Sequence, residues 1–382
     1  MTEYQERALL PPGMNDVLPP DAAYETSTLN TLLKRFAGHG YQQVKPPLVE
    51  FEESLLAGSG ASMTSETFRL MDPVSQRMMG VRADMTLQIA RIATTRLKNA
   101  PRPLRLCYAG QVLQVKGTQL RPERQFGQAG VELIGARVSA ADAEIVLLAV
   151  ESLTAIGVTD LSVDLNLPPL VPALCSALSL GDEAAAAARA ALDRKDAAGV
   201  AALGGQAAEI LGALLAIAGP ASRALAGLEA LDLPPSVAGE CTRLGEMVAE
   251  IGRAAPDLEL TIDPVENRGF EYHTGVGFVL FALGVRGELG RGGRYLAGQG
   301  EGEPATGVTL FMDSVLRAVP GPDAPRRLFL PVGVPAEERA KLRQEGWQTV
   351  AALADVGDVR AEARRLECSH VYDAGKVDPL TD

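Results

Sequence analysis

Apolar residues recur at helical spacing between residues 21 and 40, at Leu29, Leu32, Leu33 and Phe36, and Gly38 and Gly40 supply a stop, so this stretch predicts a helix. "YQQVKPPLVE" alternates briefly and is broken by Pro46 and Pro47, as an edge or interface strand would be. Residues 67–84 read as two strands joined at Asp72-Pro73, and "MTLQIARIATTRL" as a helix. Residues 107–135 read as two apolar strands around a polar loop. "SAADAEIVLLAVESLTAIG" then reads as an amphipathic helix capped by Ser139 or its neighbours, and "LSVDLNL" as a strand. From 169 to 256 the chain turns alanine- and leucine-rich with almost no strand signal, which predicts a helical insertion. Strand patterns return in "LELTID", "GVGFVLFALGV" and "ATGVTLFMDSVLRAV".

These elements predict an α+β protein with a largely antiparallel sheet flanked by helices. Residues 1–168 form the first part of a core, 169–256 the insertion, 257–320 the second part, and 326–382 a short C-terminal α/β unit with a βαβαβ rhythm. Proline and glycine at 320–325 mark the linker. The glycines of "GRGGRYLAGQG" are not fed by a strand, which makes them a poor phosphate loop.

With 382 residues the chain is long enough for more than one core. Cys107, Cys175, Cys241 and Cys368 are scattered, which suits buried thiols better than a disulfide framework or a zinc site. His39, His273 and His370 are too few and too distant for a histidine metal cage. The net charge of −12 gives no general drive toward nucleic acid. No membrane-length apolar run and no signal peptide are visible, so the expected location is the cytoplasm.

The ordered fragments "PPGMNDVLPP", "GYQQVKPPLVE", "RADMT", "RQFGQAGVELIG", "RGFEYHTG", "GGRY" and "PATGVTLFMDSVL" resemble landmarks of class II histidyl-tRNA synthetases across residues 9 to about 318. The resemblance implies a six-stranded antiparallel sheet flanked by helices, with residues 40–50 at a dimer interface. That family's hairpin carries Phe-Arg-x-Glu where this chain has Leu113, Gln114, Val115 and Lys116. Its last landmark ends Gly-Leu-Glu-Arg where this chain has Phe311, Met312, Asp313 and Ser314. Both nucleotide-gripping arginines are therefore replaced. Hydrogen bonds to charged groups are worth about 1.5–3 kcal/mol each, so losing two weakens nucleotide binding by about two to four decades.

The amino acid pocket is kept. Asp84 and Thr86 match the family's Glu and Thr, and Gln128, Glu132, Arg268 and Tyr295 match unchanged. The resemblance makes these the acceptors for an α-ammonium, the cation for a carboxylate and the partners of an imidazole. Such a set suits free histidine, a zwitterion with a hydrogen-bonding ring. Simple helix capping by Asp84 and Thr86, and a structural Glu132–Arg268 ion pair, are the alternatives. Tyr272 matches the first tyrosine of the family's Tyr-Tyr pair, and His273 replaces the second. The C-terminal unit is shorter than that family's anticodon-binding domain and has no basic excess.

A kept pocket beside a dismantled nucleotide site resembles the regulatory subunits of ATP phosphoribosyltransferase. That resemblance implies a non-catalytic, self-associating chain without cofactor. It would activate a short-form ATP phosphoribosyltransferase catalytic subunit in histidine biosynthesis, with histidine as effector. An active histidyl-tRNA synthetase and a stand-alone histidine-binding module are the competing readings.

Overall fold

The computed structural model describes residues 9–56, 63–119, 121–267, 272–298 and 302–380. The chain divides into two compact units, Met1–Gly321 and Pro322–Asp382. The first is built on a nine-stranded sheet. Its centre is a six-stranded antiparallel run in the order Leu104–Leu113, Gln125–Ile134, Glu303–Phe311, Gly290–Ala297, His273–Ala282 and Leu161–Asn166. Short strands extend both edges: Gln42–Gln43 joins in parallel on one side, Glu259–Asp263 in parallel on the other, and Gly219–Pro220 lies beyond it. Gly219–Pro220 interrupts the helical stretch, where the sequence shows almost no strand signal. Its proline is compatible with an outermost strand, whose free side needs no N–H donor.

Strand Gln125–Ile134 is buried at every position but the first, because both sheet faces are covered. On one face Ala129, Val131 and Leu133 meet Leu32 and Phe36 of helix Asp21–Gly38 and Ile145 and Leu148 of helix Ser139–Ala155. Helices between Leu170 and Ala254 continue that core through Leu174, Leu211 and Leu244. On the other face Leu106, Tyr108, Phe126 and Ile134 meet Ile89 and Ala93 of helix Thr86–Thr95. Strand alternation therefore sends Gln128 and Glu132 to the face of Tyr108 and Phe126.

Two local expectations are corrected. "YQQVKPPLVE" holds two strands: Gln42–Gln43 pairs with Leu106–Cys107, whereas Val49–Phe51 joins a separate sheet with Met78–Val81 and Arg69–Met71. Pro46 and Pro47, lacking N–H groups, separate them. Helix Ser139–Ala155 has no side-chain cap, since the Ser139 hydroxyl donates to Glu246 at 2.8 Å.

The second unit pairs Gln348–Ala351, Arg327–Leu330 and His370–Asp373 in parallel and adds an antiparallel strand, Lys376–Pro379, beyond the expected rhythm. Helices Ala336–Gln344 and Val359–Arg365 supply Leu342 and Ala363 to its two small cores. No described helix is long and apolar enough to cross a membrane.

Candidate functional site: a buried polar pocket beside a filled cleft

The pocket sits on the face defined by Tyr108 and Glu132. In the sheet register Glu132 lies opposite Gly307, and Gly307 opposite Gly293. The two glycines leave the floor open: a methyl on Gly307 would run into the Glu132 carboxylate, and one on Gly293 into the His273 ring. Gly293 also has φ +152°, which a side chain rarely adopts.

Glu132 is buried and accepts hydrogen bonds from the Tyr295 hydroxyl at 2.9 Å and the Tyr108 hydroxyl at 3.3 Å. Burial pushes its carboxyl pKa up from 4.5 to about 8, and the nearby Asp84 charge acts in the same direction. Burial, followed by the Glu132 charge, likewise raises both phenols well above their ordinary value. The Tyr108 hydroxyl lies 2.7 Å from the Thr309 hydroxyl, and Thr86 stands within 3.4 Å of both.

Helix Thr86–Thr95 has Met85 at its N-cap and no side-chain cap, and Asp84 lies one residue before that N-cap. One of its oxygens accepts from the Thr86 backbone N–H at 2.7 Å, and the other accepts from Gln128 Nε2 at 3.0 Å. Gln128 Oε1 in turn accepts from the Met85 N–H at 3.1 Å. Tyr272 packs at 4.2 Å from the His273 ring and edge-on to Tyr295 at 6.1 Å. The structure thus brings Asp84, Thr86, Gln128, Glu132, Tyr272, His273 and Tyr295 together. Arg268 lies outside the described residues, so its pairing with Glu132 is not described. The cavity volume is only about 10 Å³, room for roughly one water.

Arg291 also lines this pocket, because it alternates with Gly293 and Tyr295 onto the same face. Sequence reasoning missed it. Its guanidinium makes a two-pronged contact with Glu288, with distances of 2.6 to 2.9 Å.

Where the resemblance places a nucleotide grip, Gln114 bridges to Thr67 and its N–H donates to the Arg124 carbonyl at 2.8 Å, and among the described residues Lys116 forms no ion pair. Ser314 is buried and its hydroxyl accepts from Arg317 at 3.0 Å. Phe311 is buried and holds a guanidinium: Arg121 stacks 3.8 Å above its ring and 4.9 Å from that of Phe126. Arg121 is held there by Asp313 at 3.2 Å and Glu288 at 3.8 Å. The cleft therefore has guanidinium groups that the comparison of positions 114 and 314 overlooks. Their partners are the chain's own carboxylates. The interleaved charges of "RPER" and "RGELGR" were the available signal.

The histidyl-tRNA synthetase family model matches residues 13–315. An ATP phosphoribosyltransferase regulatory subunit from Rhodospirillum centenum is 58% identical over 375 residues, covering 98% of this chain and 97% of that protein. A Bacillus halodurans C structure described as an ATP phosphoribosyltransferase regulatory subunit/histidyl-tRNA synthetase superposes with TM-score 0.81 at 24% identity, covering 94% and 96% of the two chains. The HisG:HisZ ATP phosphoribosyl transferase complex from Thermotoga maritima contains a chain of the same fold, with TM-score 0.59 at 16% identity over 75% of this chain and 97% of that one. A histidyl-tRNA synthetase family match over most of the chain, joined to near full-length identity of this order, assigns the chain to the family of ATP phosphoribosyltransferase regulatory subunits.

Proposed function

We propose that this chain performs no chemistry of its own and regulates a short ATP phosphoribosyltransferase catalytic subunit, activating it and conveying feedback by free histidine. The observation that carries this reading is Arg121 over Phe311, pinned by Asp313, in the cleft where a synthetase needs room for ATP. The neighbouring pocket keeps what a histidine zwitterion needs: the acceptors Asp84 and Gln128, the buried Glu132 for the imidazole, and Tyr272, His273 and Tyr295 as walls. We assign the carboxylate to Arg268 by resemblance. The regulatory subunit relatives and the HisG:HisZ complex support a catalytic partner.

Feedback by histidine requires only that the two assembly states bind it with unequal affinity. We assign self-association to the three-stranded sheet and its flank, which expose Leu48, Leu70, Met71, Val74 and Met78.

Calorimetric titration of the chain with histidine and with ATP, alone and with the catalytic subunit, tests the reading. Histidine binding without ATP binding by the isolated chain supports it, as does loss of feedback in complexes carrying Glu132→Ala or Arg268→Ala. Histidine-driven ATP–pyrophosphate exchange by the isolated chain would overturn it in favour of an active synthetase.

A further inference from the structure

Glu288 stands between two arginines that belong to different sites. It grips Arg291 in the pocket wall at 2.6 to 2.9 Å and reaches Arg121 in the filled cleft only loosely, at 3.8 Å. The Glu288 and Arg121 side chains are 16% and 14% exposed, so little water screens their attraction. Arg121 belongs to the loop between strands Leu104–Leu113 and Gln125–Ile134. Arg121 also receives Asp313, and Asp313 receives Arg317 at 3.4 Å. Among the described residues, Arg291, Arg121 and Arg317 thus alternate with Glu288 and Asp313 along a line from the pocket to helix Met312–Ala318, and Glu123 also meets Arg317, at 3.9 Å.

We propose that Glu288 is an exchangeable counter-ion: when a free amino acid's carboxylate draws Arg291 into the pocket, Glu288 closes on Arg121 and clamps residues 121–124 over Phe311. No charge is created or lost; one ion pair is exchanged for another, and a ligand on one face of Glu288 is felt on the other. This rests on the reading that the pocket takes an amino acid. It adds Arg291 as a second cation there and gives occupancy an outward signal. A ligand with the same ring and ammonium but no carboxylate would fill the pocket and leave the loop unchanged.

The test is hydrogen–deuterium exchange of the described part of loop 114–124 in the full-length chain, with histidine and with histamine, alongside calorimetry. Histidine should slow loop exchange about five- to tenfold, the low end of ordinary site coupling, and histamine at saturation less than twofold. Glu288→Gln should still bind histidine, read by calorimetry, yet lose the slowing at saturation, since a neutral amide has no charge to transfer. Arg121→Ala cuts the other end, should do the same, and decides the matter if Glu288→Gln does not fold. Histidine binding without loop slowing, equal slowing by histamine, or slowing that survives in a folded variant overturns the relay and leaves the pocket standing. Absence of histidine binding to the parent chain overturns the pocket reading and the relay with it.

Discussion

Glu132→Gln isolates the physical cost of the pocket. In the folded chain burial lifts the Glu132 carboxyl from 4.5 to about 8. Between these pH values the unfolded chain releases a proton that the folded chain retains, so stability falls as pH rises through the window. The shift of about 3.5 units at about 1.4 kcal/mol per unit sets a ceiling of about 5 kcal/mol, reached only above pH 8 and absent below pH 4.5. Glutamine is neutral throughout, keeps the shape, and retains a carbonyl to accept from Tyr295. Urea unfolding followed by far-UV circular dichroism at pH 5, 6, 7 and 8.5 reads the difference; tryptophan fluorescence would not, because the only tryptophan, Trp347, belongs to the second unit. The parent should lose several kcal/mol relative to Glu132→Gln between pH 5 and pH 8.5. Parallel profiles for the two proteins would refute the assignment of a buried, protonated Glu132.

Other perturbations test neighbouring parts. Asp142→Ala strands Arg294, whose guanidinium now pairs with Asp142 at 2.7 Å and with the carbonyls of Ala136 and Val138, and should cost about 3–5 kcal/mol in urea unfolding. Gly307→Ala pushes a methyl into Glu132 and should cost about 1–3 kcal/mol and weaken histidine binding at least tenfold by calorimetry. Met71→Glu puts a charge on the exposed apolar face assigned to self-association and should lower the mass measured by light scattering. The double variant Gln114→Arg/Ser314→Arg restores both family arginines and should still fail in ATP–pyrophosphate exchange, because Arg121 remains in the cleft.

Much of the antiparallel sheet was legible because its strands carry period-2 patterns and its long helices period-3.6 patterns, and the ordered motifs fixed which strands come together. What escaped was local or tertiary. Strand Lys376–Pro379 follows a turn at Ala374 and Gly375, both with positive φ. That is a hairpin conformation, but alanine is not the residue that announces it. The pair Asp84 and Gln128 could be placed at the site from motifs, yet their mutual hydrogen bond needs the three-dimensional register. Arg291 and Glu288 read on the sequence as one more solvated charge pair. The strand running through Arg291, Gly293 and Tyr295, paired with Thr309 opposite Arg291, shows that this face is the pocket face.

On the proposed function, the internal pairing of the cleft gives a second reason for the chain not to hold a nucleotide. Missing arginines alone would leave a weak site, improvable by one or two substitutions. A triphosphate brought here meets Asp313 and Glu288, and to gain Arg121 it must draw it from the mostly buried Asp313, which keeps only the looser contact with Arg317 at 3.4 Å, while Glu288 keeps Arg291. Removing one partner of a buried ion pair costs up to about 3–5 kcal/mol, and the remaining Arg317 contact lowers that figure here. Repulsion and replacement therefore act together, as specificity against a ligand commonly does. The proposed zwitterion pocket would be spared, because its polar groups face one another across the strands carrying Tyr108, Glu132, Tyr295 and Thr309 rather than on the loop of Arg121. A fold can in this way discard a reaction while keeping the recognition of one of its reactants, which is what a sensor of that reactant requires.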